Sequence, residues 1–308
     1  MRARAGRARP GGDSGGVERQ EGCAMKIAVL GATGGQGGAV VAALREAGRP
    51  VRAVVRDPGE SRARALAASG VEVVAADLRD TGSLAAAFDG AAAAFAVTTP
   101  FEDGLDAEKE QGVAIVDAAA RSALPFLVMA SVASADRGTG IPHFETKAHT
   151  EKILAASGLP ATVVAPTYFY DNVFGELQEV ADGEITMALP PDIRLQQVAR
   201  TDLGRLVAAV LDDPARWRGQ RIEVASDDPT PAEMARDIGR AAGGQVDYRE
   251  IPLEAVASAS PDMGAMFTYL AEVGYQVDIP ALRAAFPEIP WTSYADWAAA
   301  QSWPTPGG

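Results

Sequence analysis

Cysteine is all but absent. The one copy in 308 residues, Cys23, falls within the first 24, so residues 25–308 hold neither an intrachain disulfide nor a thiol nucleophile. Histidine is nearly as rare: His143 and His149 are the only two, too few to build a metal centre without cysteine. No apolar run reaches the roughly 18–20 residues that a membrane-crossing helix needs. The opening segment "MRARAGRARPGGDSGGVERQEGCA" carries arginine and glycine but no apolar core. It does not read as a secretory signal, and its low hydrophobicity predicts a disordered tail or an over-extended start ahead of Met25. The expected location is cytoplasmic. Positive charge is also in deficit, with 28 Lys and Arg against 41 Asp and Glu, a net −13. The first 24 residues contribute five arginines against Asp13, Glu18 and Glu21, which leaves −15 for the remainder. So acidic a surface opposes binding to a phosphate backbone. Neither nucleic acid nor a membrane is the expected partner.

What is present is a regular alternation. Short β-branched runs, Lys26–Leu30, Val51–Arg56, Val71–Ala76, Ala92–Val97, Phe126–Ser131 and Ala161–Ala165, are separated by alanine-rich helical stretches. Near-continuous apolar strands alternating with helices predict an α/β fold: a Rossmann-type doubly wound parallel sheet covered on both faces. After Pro166 prolines cluster and aromatics become frequent. Even so, "RIEVAS" reads as one more strand, and "TPAEMARDIGRAAGG" as a helix capped by Thr230 with Pro231 in its first turn. The expected organisation is a tail over 1–24, a dinucleotide-binding domain over 25–165 and a smaller C-terminal lobe over 166–308. The last two are integrated into one unit that closes a cleft.

In "GATGGQGG", Gly31, Gly34 and Gly37 are spaced G-x-x-G-x-x-G between the first strand and the first helix. Gly31 permits the turn, Gly34 lets the backbone approach a pyrophosphate, and Gly37 lets the helix pack on the sheet. Helix-start N–H groups and the dipole supply the anion site. Thr33 and Gln36 add polar side chains there. The tip of the second strand reads the adenosine ribose. Here it is Arg56, suited to a 2′-phosphate, with Asp57 beside it, suited to a free 2′-hydroxyl. The expected cofactor is NADP(H), with NAD(H) the alternative. Asp77 after the third strand is placed for the adenine, and Thr98 and Thr99 after the fourth for the nicotinamide end. Each equally suits a strand-end cap.

"VLGATGGQGGAVVAAL", "VVRDP", "ADLRD" and "PTYFYDN" follow one another as do the motifs of the NmrA-like branch of the atypical short-chain dehydrogenase/reductase superfamily. The chain resembles that branch over nearly all of Met25–Trp297. The late stretch "MFTYLAEVGYQVDIPALRAAFPEIPWTSYADW" is similar to the C-terminal lobe of the group that contains NADPH-sensing regulators. The resemblance implies a Rossmann fold that binds NADP(H). It also implies one of two roles: a reductase acting on quinones or phenylpropanoid-type substrates, or a non-catalytic redox sensor that contacts a partner protein. An apolar quinone or enone is the acceptor expected in the first case.

Active members of the superfamily usually carry Tyr-x-x-x-Lys. In this chain no tyrosine precedes any lysine: the lysines are Lys26, Lys109, Lys147 and Lys152, and the first tyrosine is Tyr168. His143 and Lys147 stand four apart on one helix face instead. Lys147 is the first candidate for a catalytic residue, expected at the nicotinamide ribose and as a proton source through water. His143 is a candidate proton donor or a cleft-wall residue. Tyr168 and Tyr170 are candidates for the missing phenol. Ser131, at the place of the superfamily's serine, and Phe169 and Asn172 after the sixth strand are expected in the substrate pocket. Arginine often precedes the proline of that corner in the family; here it is Ala165.

Overall fold

A computed structural model describes residues 26–306. The expectations for residues 1–24, with Cys23, lie outside them. The strands are β1 (Ile27–Leu30), β2 (Val51–Val55), β3 (Glu72–Ala75), β4 (Ala93–Ala96), β5 (Leu127–Ala130), β6 (Ala161–Pro166), β7 (Tyr168–Phe169), β8 (Glu184–Met187), β9 (Gln197–Val198), β10 (Arg221–Val224) and β11 (Asp247–Glu250). The first seven helices are α1 (Gly35–Glu46), α2 (Ser61–Ala68), α3 (Thr81–Phe88), α4 (Leu105–Arg121), α5 (Pro142–Ser157), α6 (Leu177–Ala181) and α7 (Arg200–Asp212). The remainder are α8 (Pro214–Trp217), α9 (Pro231–Ala242), α10 (Leu253–Ala259), α11 (Pro261–Glu272), α12 (Ile279–Ala285) and α13 (Tyr294–Ala299).

Seven strands form one sheet in the order β10-β6-β5-β4-β1-β2-β3, every pair parallel. This is the doubly wound Rossmann-type sheet expected from the alternation. Successive residues of a strand point to opposite faces. Val29, Val51, Ala53 and Phe95 therefore pack with Val40 and Leu44 of α1 and Leu203 and Leu206 of α7. Ala28, Leu30, Ala94 and Met129 pack with Leu84 of α3 and Ile115 of α4 on the other side. Burial on both faces is why these strands carry no polar alternation.

The chain beyond Pro166 does not stay apart from the sheet. It supplies β10 at one edge and α7 against α1, where Gly204 comes so close that a Cβ there would stand 2.7 Å from the Ala39 carbonyl carbon. Its own core gathers Tyr170, Ile185, Met234, Ile238, Tyr294 and Trp297. A further cluster joins Ile141 and Phe144 of the α5 entry to Met266 and Leu270 of α11 and to Tyr275. Thr230 and Glu233 form a reciprocal capping box on α9, the start foreseen from Thr230 and Pro231. Among the described residues no helix is long and apolar enough to cross a membrane.

Asp202 fastens the late segment to the sheet. It is wholly buried and accepts hydrogen bonds from the Ser226 hydroxyl (2.7 Å), the Thr292 N–H (2.8 Å) and the Thr292 hydroxyl (2.9 Å). Removing the acceptor strands these donors in the interior. Asp202→Ala is expected to cost about 2–4 kcal/mol, read as a lower urea midpoint. An unchanged midpoint contradicts this role.

Candidate functional site

Between β1 and β4 the strand order reverses, and in open α/β sheets the crevice at such a point is where ligands bind. Here a cleft of about 900 Å³ opens at the carboxyl ends of the strands. Gly31, Thr33, Gly34, Gln36, Gly37, Arg56, Asp77, Thr98, Thr99, Ser131, His143, Lys147, Tyr168, Phe169 and Asn172 all line it. The residues singled out from widely separated motifs thus share one wall system. Tyr170 does not. It is fully buried, donates its hydroxyl to the Thr292 carbonyl at 3.0 Å, and is pushed well above the usual tyrosine range by burial and then by Asp227 and Asp202. As a replacement for the missing phenol it is excluded; it is a structural tyrosine of the second core.

At one end lies the glycine turn. Gly31 has φ +64°, a conformation that favours glycine. A Cβ on Gly37 would stand 2.7 Å from the Leu30 carbonyl oxygen and closer still to that of Gly31. Helix α1 can therefore begin directly against the turn, at Gly35. No side chain caps α1 and no acidic residue stands in its first turn. The helix start is thus free of internal anions, as an anion site requires. The buried Gln36 side-chain oxygen has no hydrogen-bond partner among the described residues. These features fit a dinucleotide pyrophosphate.

At the tips of the next strands, Arg56 lines the cleft and is paired with Glu102 at 3.1 Å. Asp57 is turned to its own loop and accepts the Gly59 N–H at 2.7 Å. Asp77 lines the cleft and also holds the Arg79 N–H at 2.8 Å. Both the cap and the cleft placement foreseen for it occur together.

In the middle sits a buried charge network. Lys147 Nζ lies 2.8 Å from Glu108 Oε1, 2.6 Å from the Thr98 carbonyl and 2.9 Å from Thr98 Oγ1. All three ammonium hydrogens are therefore engaged. Glu108 has no exposed surface and also accepts from the Thr98 and Thr146 hydroxyls. Burial holds the Lys147 ammonium below the usual lysine range, with Glu108 pulling the other way. Thr99 donates its N–H to Gln111 at 3.0 Å. Sequence reasoning missed Glu108, although its position among the inward residues Gln111, Ala114, Ile115 and Ala118 of α4 marks a carboxylate on an apolar helix face.

At the far end the walls are apolar and aromatic: Phe101, Phe144, Met263, Met266, Phe267 and Tyr275. His143, one turn before Lys147, has its Nδ1 2.8 Å from Asp262 Oδ1, and the same oxygen accepts the His143 backbone N–H at 3.2 Å. Asp262 lies in the first turn of α11. No local sequence signal links it to His143, 119 residues earlier. Ser131 lines the cleft while its hydroxyl donates to Glu151. His149, given no role, is exposed.

The profile of the NmrA-like family matches residues 24–298. The chain belongs to the NmrA-like family. Among family relatives it is similar to the NAD(P)H azoreductase of Xenophilus azovorans, 29% identical over 239 residues, covering 77% of this chain and 81% of that protein. The solved NADPH complex of the Escherichia coli quinone oxidoreductase QOR2 superposes with a TM-score of 0.74 at 26% identity, over 89% of this chain and 98% of that one. The negative transcriptional regulator NmrA shares the fold at a TM-score of 0.74 and 22% identity, over 90% and 95% of the two chains.

The Lys147–Glu108 pair gives the site a measurable signature. Lys147→Met leaves Glu108 buried without its counter-charge, an expected loss of about 3–5 kcal/mol in urea unfolding. Adding Glu108→Gln is expected to recover most of it. A single variant as stable as the wild type contradicts the buried pair.

Proposed function

We propose that this NmrA-like protein is an NADPH-dependent oxidoreductase that reduces a small apolar acceptor, such as a quinone or enone. The observation that carries the reading is the continuity of the cleft, from an uncapped glycine turn through the buried Lys147 network to a Met- and aromatic-lined wall. The similarity to an NAD(P)H azoreductase and to QOR2 supports it. A nicotinamide bound in the cleft supplies the hydride.

The chain's own residues divide the remaining work. The α1 start and its glycines receive the pyrophosphate, with Thr33 and Gln36 beside them. Arg56 pairs with the 2′-phosphate, and NADP(H) is preferred over NAD(H) because Asp57 faces Gly59 rather than the cleft. Asp77 stands for the adenine, and Thr98 and Thr99 for the nicotinamide end. Lys147 acts chiefly by holding the Thr98 carbonyl and hydroxyl in place; its ammonium is not a free proton donor while Glu108 and Thr98 occupy it. His143 is better placed to move a proton. The Asp262 carboxylate accepts from Nδ1, which leaves Nε2 as the nitrogen for exchange. Tyr168, Ser131 and Asn172 stand in the acceptor pocket, whereas Phe169, expected there too, turns its ring toward Arg200. The missing tyrosine does not bar reduction, because His143 stands in its place as proton donor to the reduced acceptor.

A second reading, a redox sensor without turnover, is favoured by one feature. Phe101, 76% exposed, projects from the loop between β4 and α4 at the mouth of the cleft. In that reading NADPH occupancy changes a surface for a protein partner.

Ligand stabilisation tests the cofactor. At about a hundred times Kd, NADPH is expected to add about 2.7 kcal/mol, a Tm rise of several degrees. NADH at the same concentration is expected to give less, and Arg56→Ala to abolish the difference. Equal stabilisation of the wild type by both contradicts Arg56. Turnover tests the chemistry. NADPH oxidation by a quinone panel is expected in the wild type, with kcat about a hundredfold lower in His143→Ala at unchanged NADPH affinity. Tight NADPH binding with no turnover on any acceptor selects the sensor.

A further inference from the structure

Arg200 opens α7, yet it reaches across to α1. A Cβ on Gly35 would stand 2.7 Å from the Arg200 guanidinium carbon and 2.9 Å from its Nε and Nη1. The guanidinium therefore lies flat against the first turn of α1, in space that only a glycine leaves open. It lines the cleft with 37% of its side chain exposed. Two groups hold it there. The Phe169 ring lies 5.7 Å from the guanidinium carbon, and Asp171 Oδ2 lies 3.6 Å from Nε. That Asp171 oxygen is buried and makes no hydrogen bond among the described residues, so it acts on Arg200 as a charge.

This placement is electrostatically odd. The start of a helix carries about half a positive charge, and α1 has no acidic residue there to offset it. A cation beside it is repelled. If the only task of Arg200 were to neutralise Asp171, nothing would require it at the one helix start that borders the glycine turn. Guanidinium and helix start together form a doubly positive cradle, matched by an anion with two adjacent phosphates.

We propose that Arg200 is a pyrophosphate-binding residue of the cleft, positioned by Asp171 and admitted by Gly35. The inference rests on the dinucleotide reading above and adds a ligand that no glycine motif announces. The pyrophosphate is common to NADPH and NADH, whereas the 2′-phosphate belongs to NADPH alone. Arg200 and Arg56 must therefore respond to different parts of the ligand.

Titration calorimetry of the full chain with NADPH, NADH and adenosine 2′-monophosphate separates them. Arg200→Ala is expected to weaken both dinucleotides alike, by about tenfold or more, and to leave adenosine 2′-monophosphate unchanged. Arg56→Ala is expected to weaken NADPH and adenosine 2′-monophosphate and to spare NADH. Arg200→Lys, which keeps the charge, is expected to fall between wild type and Arg200→Ala and guards against a folding defect. Asp171→Asn is expected to weaken dinucleotides less than Arg200→Ala and to add nothing in the double variant. Dinucleotide affinity unchanged in Arg200→Ala overturns the proposal, as does an equal loss for adenosine 2′-monophosphate. Failure of the wild type to bind either dinucleotide overturns the cofactor reading itself.

Discussion

Lys147 and Glu108 meet where α4 and α5 pass the end of β4, with Glu108 wholly buried and Lys147 nearly so behind the cleft wall. Two charges brought into such a place gain little net stability, because desolvation offsets much of their attraction. What they fix is geometry. The ammonium holds both the carbonyl and the hydroxyl of Thr98, and the carboxylate holds the hydroxyls of Thr98 and Thr146. The end of β4 is thereby tied to the helix that carries His143. This network lies between the two ends of the cleft.

The second half of the chain completes that frame rather than adding a separate body. It contributes the edge strand β10 and α7, which brings Arg200 to the glycine turn. Asp262, at the start of α11, reaches His143. Each end of the cleft thus combines a residue from the first half with a partner from the second. Relative movement of the late segment would act on both ends together.

Much of this was legible in the sequence. Continuous apolar strands and alanine-rich helices gave the parallel sheet, and glycine spacing after the first strand gave the turn. The candidate residues share one cleft because strand ends in a doubly wound sheet all open on the same side. The illegible parts are pairings across long separations. Nothing near Arg200 announces Gly35, and nothing near Asp262 announces His143. The misreading of Tyr170 has the same origin. Two residues apart on an extended segment, Tyr168 and Tyr170 would share a face, but the strand ends at Phe169 and a 3-10 turn begins at Tyr170. The depth of its ring depends on Thr292, over a hundred residues later. Glu108 was legible in part, as a charge on the inward face of α4, but its partner was not.

The proposed function requires that a single cleft hold a phosphorylated dinucleotide along its length with an acceptor at the apolar end. A crystal structure of the full chain grown with NADPH tests it most directly. The 2′-phosphate is expected beside Arg56, the pyrophosphate between the α1 start and Arg200, and the nicotinamide between Thr98 and His143. A cofactor bound elsewhere, or lying in the cleft in the reverse direction, would contradict it.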